Sequence, residues 1–243
     1  MLFLISETFT ESLAHLTGDE QKAVKTTAFD LQINPVNPGM SLHKLDKAKD
    51  KNFWSVRVGR DVRLIVHRSE ASLLLCYVDH HDKAYAWAER RKLETHPKTG
   101  AAQLVEIRET VQEIVVPSFV EAKAAMPVPV KSPLFANVQD DELLGYGVPA
   151  EWLGDVRKAN EDSLLVLADR LPVEVAEALL ELATGGKPRV ATPATPPLNP
   201  FDHPDAQRRF RVVDAWQLKT WDAYAKCFVK YLRRCARAWH PGR

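Results

Sequence analysis

The sequence predicts an α+β fold: a small antiparallel sheet with an amino-terminal helical hairpin, then a small all-α module and a basic tail. Three observations carry this reading. Phe53–His67 alternates apolar and polar side chains about a Gly59-Arg60-Asp61 turn, and Leu73–Val78 adds a third strand-like run. Helix starts and stops punctuate residues 18–35 and 138–185. Stretches rich in Pro, Val, Ala and Thr separate these regions at residues 117–133 and 188–204.

The elements follow in order. Leu2 to Ile5 reads as a first strand, and Thr10 or Ser12 as the cap of a helix carrying Leu13 and Leu16. Gly18-Asp19 opens a second helix with Ala23, Val24, Thr27, Ala28 and Leu31 on one side, ended by Asn34-Pro35. A turn cluster at residues 34–39 leads to a short strand at Leu42–Leu45 and a lysine-rich connection. In the next strands Trp54, Val56 and Val58 share one face with Val62, Leu64 and Val66. Ser55, Arg57, Arg63, Ile65 and His67 fall on the other. A helix over Ala84–Arg91 closes a first domain at residues 1–92.

Residues 93–137 read as a helix followed by a Pro/Ala/Val linker, with Leu104, Ile107 and Val111 at helical spacing within Ala101–Ile114. Residues 138–185 form the helical module. There, Asp140–Leu144 is a short turn, Pro149 precedes a helix over Glu151–Ala159, Asn160 caps Glu161–Leu171, and Pro172 starts Val173–Ala183. Residues 186–206 read as a linker, and residues 207–243 as a basic tail with a candidate helix from Trp216 to Trp239. No internal repeat is evident.

Composition narrows the function classes. The chain has 243 residues, enough for one large domain or two small ones, and 45% hydrophobic residues supply a core. Lys and Arg number 33 against 32 Asp and Glu, so bulk charge does not announce a polyanionic partner. Their distribution does: basic residues crowd into 44–68 and 207–243, while 138–184 is acidic on balance. Cys76, Cys227 and Cys235 are too scattered for a disulfide framework, which fits a reducing cytoplasm. Met1–Ile5 is too short for a signal segment and no run approaches a membrane span. The expectation is a cytoplasmic protein without membrane contact.

A sheet that buries one side and carries Arg and His on the other suits a phosphate backbone. Arg57 and Arg63 on the hairpin lie on that other side. Lys44, Lys47, Lys49, Lys51 and Arg60 crowd the same region of the chain. No metal site is expected, because Cys76 with His80-His81 lacks ligand spacing and adjacent strand histidines point to opposite faces.

The element order of residues 1–92, the Arg57-Val-Gly-Arg-Asp-Val-Arg63 hairpin and the His80-His-Asp-Lys-Ala-Tyr85 ending resemble the RelE/ParE toxin superfamily. The resemblance implies a RelE-like sheet domain. In its ribonuclease members the RNA 2′-hydroxyl attacks the adjacent phosphorus without metal, on the ribosome. It assigns phosphate stabilisation to Arg63 with Arg57, acid–base roles to His80 or His81 and Tyr85, and backbone grip to the lysines. No carboxylate stands out as base, and a one-residue register decides which histidine faces the groove.

A longer resemblance is to UvrD-like superfamily 1 helicases that carry a RelE-like front domain. It rests on Lys22–Gln32, Leu42–Trp54, Asp140–Pro149 and Leu179–Gly185, and spans roughly residues 1–214. The motor's phosphate loop is absent here, since Gly185-Gly186-Lys187 is followed by Pro188 and lacks the upstream glycine. The expectation is a motorless amino-terminal portion of such a helicase, without ATPase activity or cofactor, whose RelE-like domain binds RNA or DNA. The alternatives are a metal-free endoribonuclease toxin, with the ribosome or an antitoxin-like protein as partner, and a protein-binding scaffold.

Overall fold

The computed structural model describes residues 1–35, 41–108, 132–190 and 197–213. They divide into two compact units, Met1–Glu89 with the chain from Arg208, and Arg90–Gln207.

The first unit is built on a six-stranded sheet in the order Leu42–Lys44, Phe53–Val58, Val62–Arg68, Ser72–His80, Leu2–Ser6, Phe210–Val212. Its strands are β1 (Leu2–Ser6), β2 (Leu42–Lys44), β3 (Phe53–Val58), β4 (Val62–Arg68), β5 (Ser72–His80) and β8 (Phe210–Val212). The sheet is mostly antiparallel, but β1 runs parallel to β5, with Leu2 opposite Ser72 and Ile5 opposite Leu75. That departs from the all-antiparallel expectation. Strands β1 and β5 are joined by two helices and three strands, long enough for the crossover that parallel pairing requires.

Helices α1 (Glu7–Ala14) and α2 (Gly18–Ile33) cover one face. Phe9, Leu13, Val24, Ala28 and Leu31 pack there with Phe3, Ile5, Val56, Val58, Leu64, Val66, Leu75 and Val78. A bulge helps to fill this core. Ile65 pairs with Tyr77 and Val66 with Leu75, so Cys76 is left over and both Leu75 and Val78 reach the same cluster.

The cap of α1 is Ser6, not Thr10 or Ser12: its hydroxyl oxygen accepts from the Phe9 N–H at 3.0 Å. The reason lies in β5. Where β1 ends, α1 hydroxyls take over the strand's backbone groups. Ser6 and Thr8 donate to the Cys76 carbonyl at 2.8 and 2.7 Å, and Ser12 accepts from the Val78 N–H at 3.1 Å. Helix α2 starts at Gly18 as expected, with Thr17 and Glu20 forming a reciprocal capping box.

Helix α3 (His81–Glu89) covers part of the other face and starts three residues earlier than its sequence signal. Trp87 stacks on Tyr77 with ring centroids 4.7 Å apart and meets Phe53 edge-on at 6.1 Å. His67 lies under this layer, with Nε2 3.3 Å from the Asp50 carboxylate and both side chains largely buried. The expected open face of Arg and His is therefore half-covered, and His67 is a core residue.

The second unit contains β6 (Arg91–Thr95) and β7 (Ala102–Glu106), then α4 (Asp140–Gly145), α5 (Leu153–Lys158), α6 (Glu161–Ala168) and α7 (Val173–Ala183). A short 3₁₀ turn at Ala150–Trp152 precedes α5. The helix expected over 101–114 is a strand at Ala102–Glu106, paired antiparallel with β6. Its backbone pairing, and burial of Val105 and Gln103, override the helical spacing of Leu104 and Ile107. Residues 138–185 themselves hold helices and a 3₁₀ turn only, and β7, outside that span, adds a strand to their core. Val105 joins Phe135, Leu143, Trp152, Val156, Leu164, Val175 and Leu179 in one core, and the Trp152 indole N–H donates to the Glu106 carbonyl at 2.9 Å. Asn160 caps α6 and Pro172 precedes α7, as the sequence predicts.

The expected linker at 186–206 contains a 3₁₀ turn at Pro200–Asp202 and the start of α8 (Pro204–Arg209). The tail opens with a strand: β8 pairs with β1, Phe210 opposite Ser6 and Val212 opposite Leu4. Phe210 and Val213 are buried. Most of the Asn34–Gly39 turn cluster, residues 109–114 of the expected helix, nearly all of the 117–133 linker, the Trp216–Trp239 helix, Cys227 and Cys235 lie outside the described residues.

Candidate functional site

The site grows from one short turn. Val58 pairs with Val62, which leaves Gly59, Arg60 and Asp61 to reverse the chain. Gly59 has φ +72°, a left-handed conformation that glycine adopts without a side-chain penalty. This tight hairpin sets the register on either side. Arg57 stands directly opposite Arg63, and Arg63 directly opposite Asp79 on β5. Three charged residues thus form a row across β3, β4 and β5, on the face opposite the α1–α2 core.

Arg57 is exposed, while Arg63 and Asp79 are half-buried. Arg57 donates from Nε to the Gly59 carbonyl at 3.0 Å, and Arg63 from Nη1 to the Val62 carbonyl at 3.0 Å. Among the described residues neither guanidinium has a carboxylate within ion-pair distance. Two like charges side by side repel, so an anion bridging both is favoured there.

Asp79 is the residue that the sequence reading missed. Its carboxylate accepts from the Tyr77 hydroxyl at 3.2 Å and from the His80 N–H at 2.7 Å. Tyr77 is itself held by stacking on Trp87. The signal available was the alternation Tyr77-Val78-Asp79 at the end of β5, which puts Tyr77 and Asp79 on one face.

The two histidines separate. His80 pairs with Val62, a core residue of the helix-covered face, so it lies away from Arg63. Its Nδ1 is 2.8 Å from Asp61, and its Nε2 is 3.8 Å from Glu20 on α2. The ring is thereby held to the hairpin turn, beside α2. Glu20 is held below the ordinary carboxylate range by hydrogen bonds from the Thr17 hydroxyl and backbone, with His80 adding to the effect.

His81 begins α3, where its backbone N–H donates to the Asp61 carbonyl at 3.0 Å. Its ring lies 4.2 Å from that of Tyr85, one helical turn on, and its Nδ1 is 2.9 Å from Asp82. The structure brings His81 and Tyr85 together. None of the hydrogen bonds above joins them to Arg57 or Arg63.

The expected backbone contacts also divide. Lys47, Lys49 and Arg60 are exposed in loops, and Lys44 lies exposed on the edge strand β2. Lys51 is committed to its own loop, donating to the Asp46 and Ala48 carbonyls at 2.7 and 3.0 Å. Cys76 is fully buried, and burial pushes its thiol well above the ordinary range, so it is not a nucleophile. Among the described residues no cluster of three His, Cys, Asp or Glu side chains could hold a metal, and no helix is long and apolar enough to cross a membrane.

No family model and no curated protein matches this chain. It is similar to the RelB–RelE antitoxin–toxin complex from Methanococcus jannaschii, at 22% identity over 36% of this chain and 98% of that chain, with a TM-score of 0.30. It is similar to a conserved hypothetical protein from Helicobacter pylori, at 22% identity over 34% of this chain and 97% of that one, with a TM-score of 0.27. A copper-bound mutant toxin from Helicobacter pylori gives 21% identity over 34% of this chain and 98% of that one, with a TM-score of 0.26. Each likeness covers about a third of this chain.

Proposed function

We propose that the sheet unit binds the phosphate backbone of RNA or DNA through the face that carries Arg57 and Arg63. The observation behind this reading is their direct pairing across β3 and β4, with both guanidiniums held by backbone carbonyls and neither neutralised by a carboxylate. A phosphodiester fits the charge, and guanidinium geometry fits a phosphate oxygen pair. Exposed Arg60, in the turn between Arg57 and Arg63, adds a third cation beside the pair. An accessory role beside a UvrD-like helicase motor belongs to this proposal through the sequence resemblance alone.

Binding to a labelled single-stranded oligonucleotide tests it. Affinity is expected to fall as salt rises, because phosphate contacts release counterions. Salt-independent binding, or none, would overturn the reading.

A second reading, metal-free cleavage of RNA, draws on Asp79. A carboxylate beside Arg63 supplies a base next to a phosphate-holding cation, with His81 and Tyr85 on α3 as further proton-transfer groups. Incubation with RNA in EDTA, with and without ribosomes, should then yield 2′,3′-cyclic phosphate ends. Intact RNA under both conditions removes this reading and leaves the binding proposal in place. An antitoxin-like protein partner would accompany cleavage, as the resemblance implies.

A further inference from the structure

Trp54 is flanked by two cations on the helix-covered face of the sheet. It sits on β3 directly opposite Lys44 of the edge strand β2 and opposite Val66 of β4. Its ring is only partly buried against the helix-covered core. Two cations share it: Lys44 Nζ lies 5.9 Å from the indole centroid, and the Arg68 guanidinium carbon 5.9 Å from the same centroid. Among the described residues, neither cation has a carboxylate partner.

This arrangement has a physical consequence. Long cationic side chains lose rotamer freedom when they grip an anion, and that loss weakens binding. An indole face that already holds both heads by cation–π attraction removes part of the loss beforehand.

The position also matters. Trp54 is three residues before Arg57, about 10 Å along the strand at a rise of roughly 3.3 Å per residue. An odd separation puts it on the opposite face. Between the two lies the β2 edge, where exposed His43 stands opposite Ser55, on the Arg57 side of the sheet. Among the described residues, strand β2 is three residues long and pairs with β3 alone, so a single strand separates the two faces at this edge.

We infer that Lys44, Trp54 and Arg68 form a second phosphodiester contact, reached by a nucleic-acid strand that passes from Arg57 and Arg63 around the β2 edge. This rests on the binding function proposed above, and it adds Trp54 and Arg68 to the contact residues. The ligand is a flexible single strand, since a duplex is too stiff to fold about one strand edge.

The test compares single-stranded oligonucleotides of about 4 and about 16 nucleotides, the range of site sizes in small β-domain binders. Binding of the full chain is followed by fluorescence anisotropy against salt. Arg68→Ala, at the half-buried end of β4, should weaken the longer probe severalfold and reduce its salt slope by about 0.7, the value for one single-strand phosphate contact. Trp54→Leu keeps apolar packing and removes the ring, and should weaken the longer probe as well, whereas Trp54→Phe binds near the wild-type level. The short probe should lose affinity with Arg57→Ala and Arg63→Ala but not with Arg68→Ala.

Wild-type binding of the longer probe by Arg68→Ala, with loss in Arg57→Ala, would overturn the second contact and keep the proposed function. Equal losses on both probes would also overturn it, because the contact would then not depend on length. No binding by any form would sink the function itself.

Discussion

Arg63 lies directly opposite Asp79 across the β4–β5 ladder, on the same face as its other neighbour, Arg57. No ion pair joins Arg63 to Asp79, whose carboxylate instead accepts from Tyr77 and the His80 backbone. A carboxylate at this position either acts as the base of the cleavage reading or tempers the local positive charge. Asp79→Asn separates the two roles, since it keeps shape and removes the charge. Binding to an oligonucleotide should stay equal or tighten. Any EDTA-resistant cleavage should fall by about 10²-fold or more, the usual contribution of a general base. Unchanged cleavage in Asp79→Asn would remove Asp79 from the chemistry.

The His67–Asp50 pair under Trp87 is expected to matter for stability alone. Removing one partner of a buried pair leaves an uncompensated polar group, at a cost of about 3 kcal/mol. His67→Ala should therefore lower the denaturation midpoint strongly. The Asp50→Asn/His67→Ala double variant should lose less than the two single losses added together. Additive losses in urea titrations would show that the pair is not coupled.

Glu20 supplies a pH dependence with a definite sign. Hydrogen bonds from Thr17 lower its folded-state pKa below the ordinary 4.5. A carboxylate depressed in the folded state stabilises above its unfolded value and loses that contribution as pH falls through the folded value. Glu20→Gln should therefore narrow the stability gap between neutral and acidic solution, with its largest deficit above pH 4.5. A deficit that grows in acid would contradict the capping box.

Much of the sheet unit was legible locally. Period-two alternation marked β3 and β4, and Gly18, Asn160 and Pro172 marked helix starts, because each signal is set by neighbours in sequence. The failures share a different cause. Strand β7 carries apolar residues at helical spacing, and its pairing with β6 decides its conformation. Strand β8 lies over 200 residues from its partner β1, so no local pattern could place it. The Cys76 bulge shifts the phase of β5, which hid the placement of Asp79 and separated His80 from the arginine face. Arg57 and Arg63 were legible as a pair because three turn residues fix their register.

The β8 assignment makes its own forecast. Phe210 is 3% exposed in the sheet core, so Phe210→Ala should cost about 3–5 kcal/mol in unfolding experiments. A surface-like effect below about 0.5 kcal/mol would show that the segment after Arg209 is not part of the sheet.

The most direct measurement of the central claim is the salt dependence of single-strand binding by the wild type and by Arg57→Ala/Arg63→Ala. Loss of two phosphate contacts should reduce the slope of log K against log salt by about 1.4 and weaken binding at every salt concentration. Parallel lines of equal affinity would contradict it, since the paired guanidiniums would then hold no phosphate.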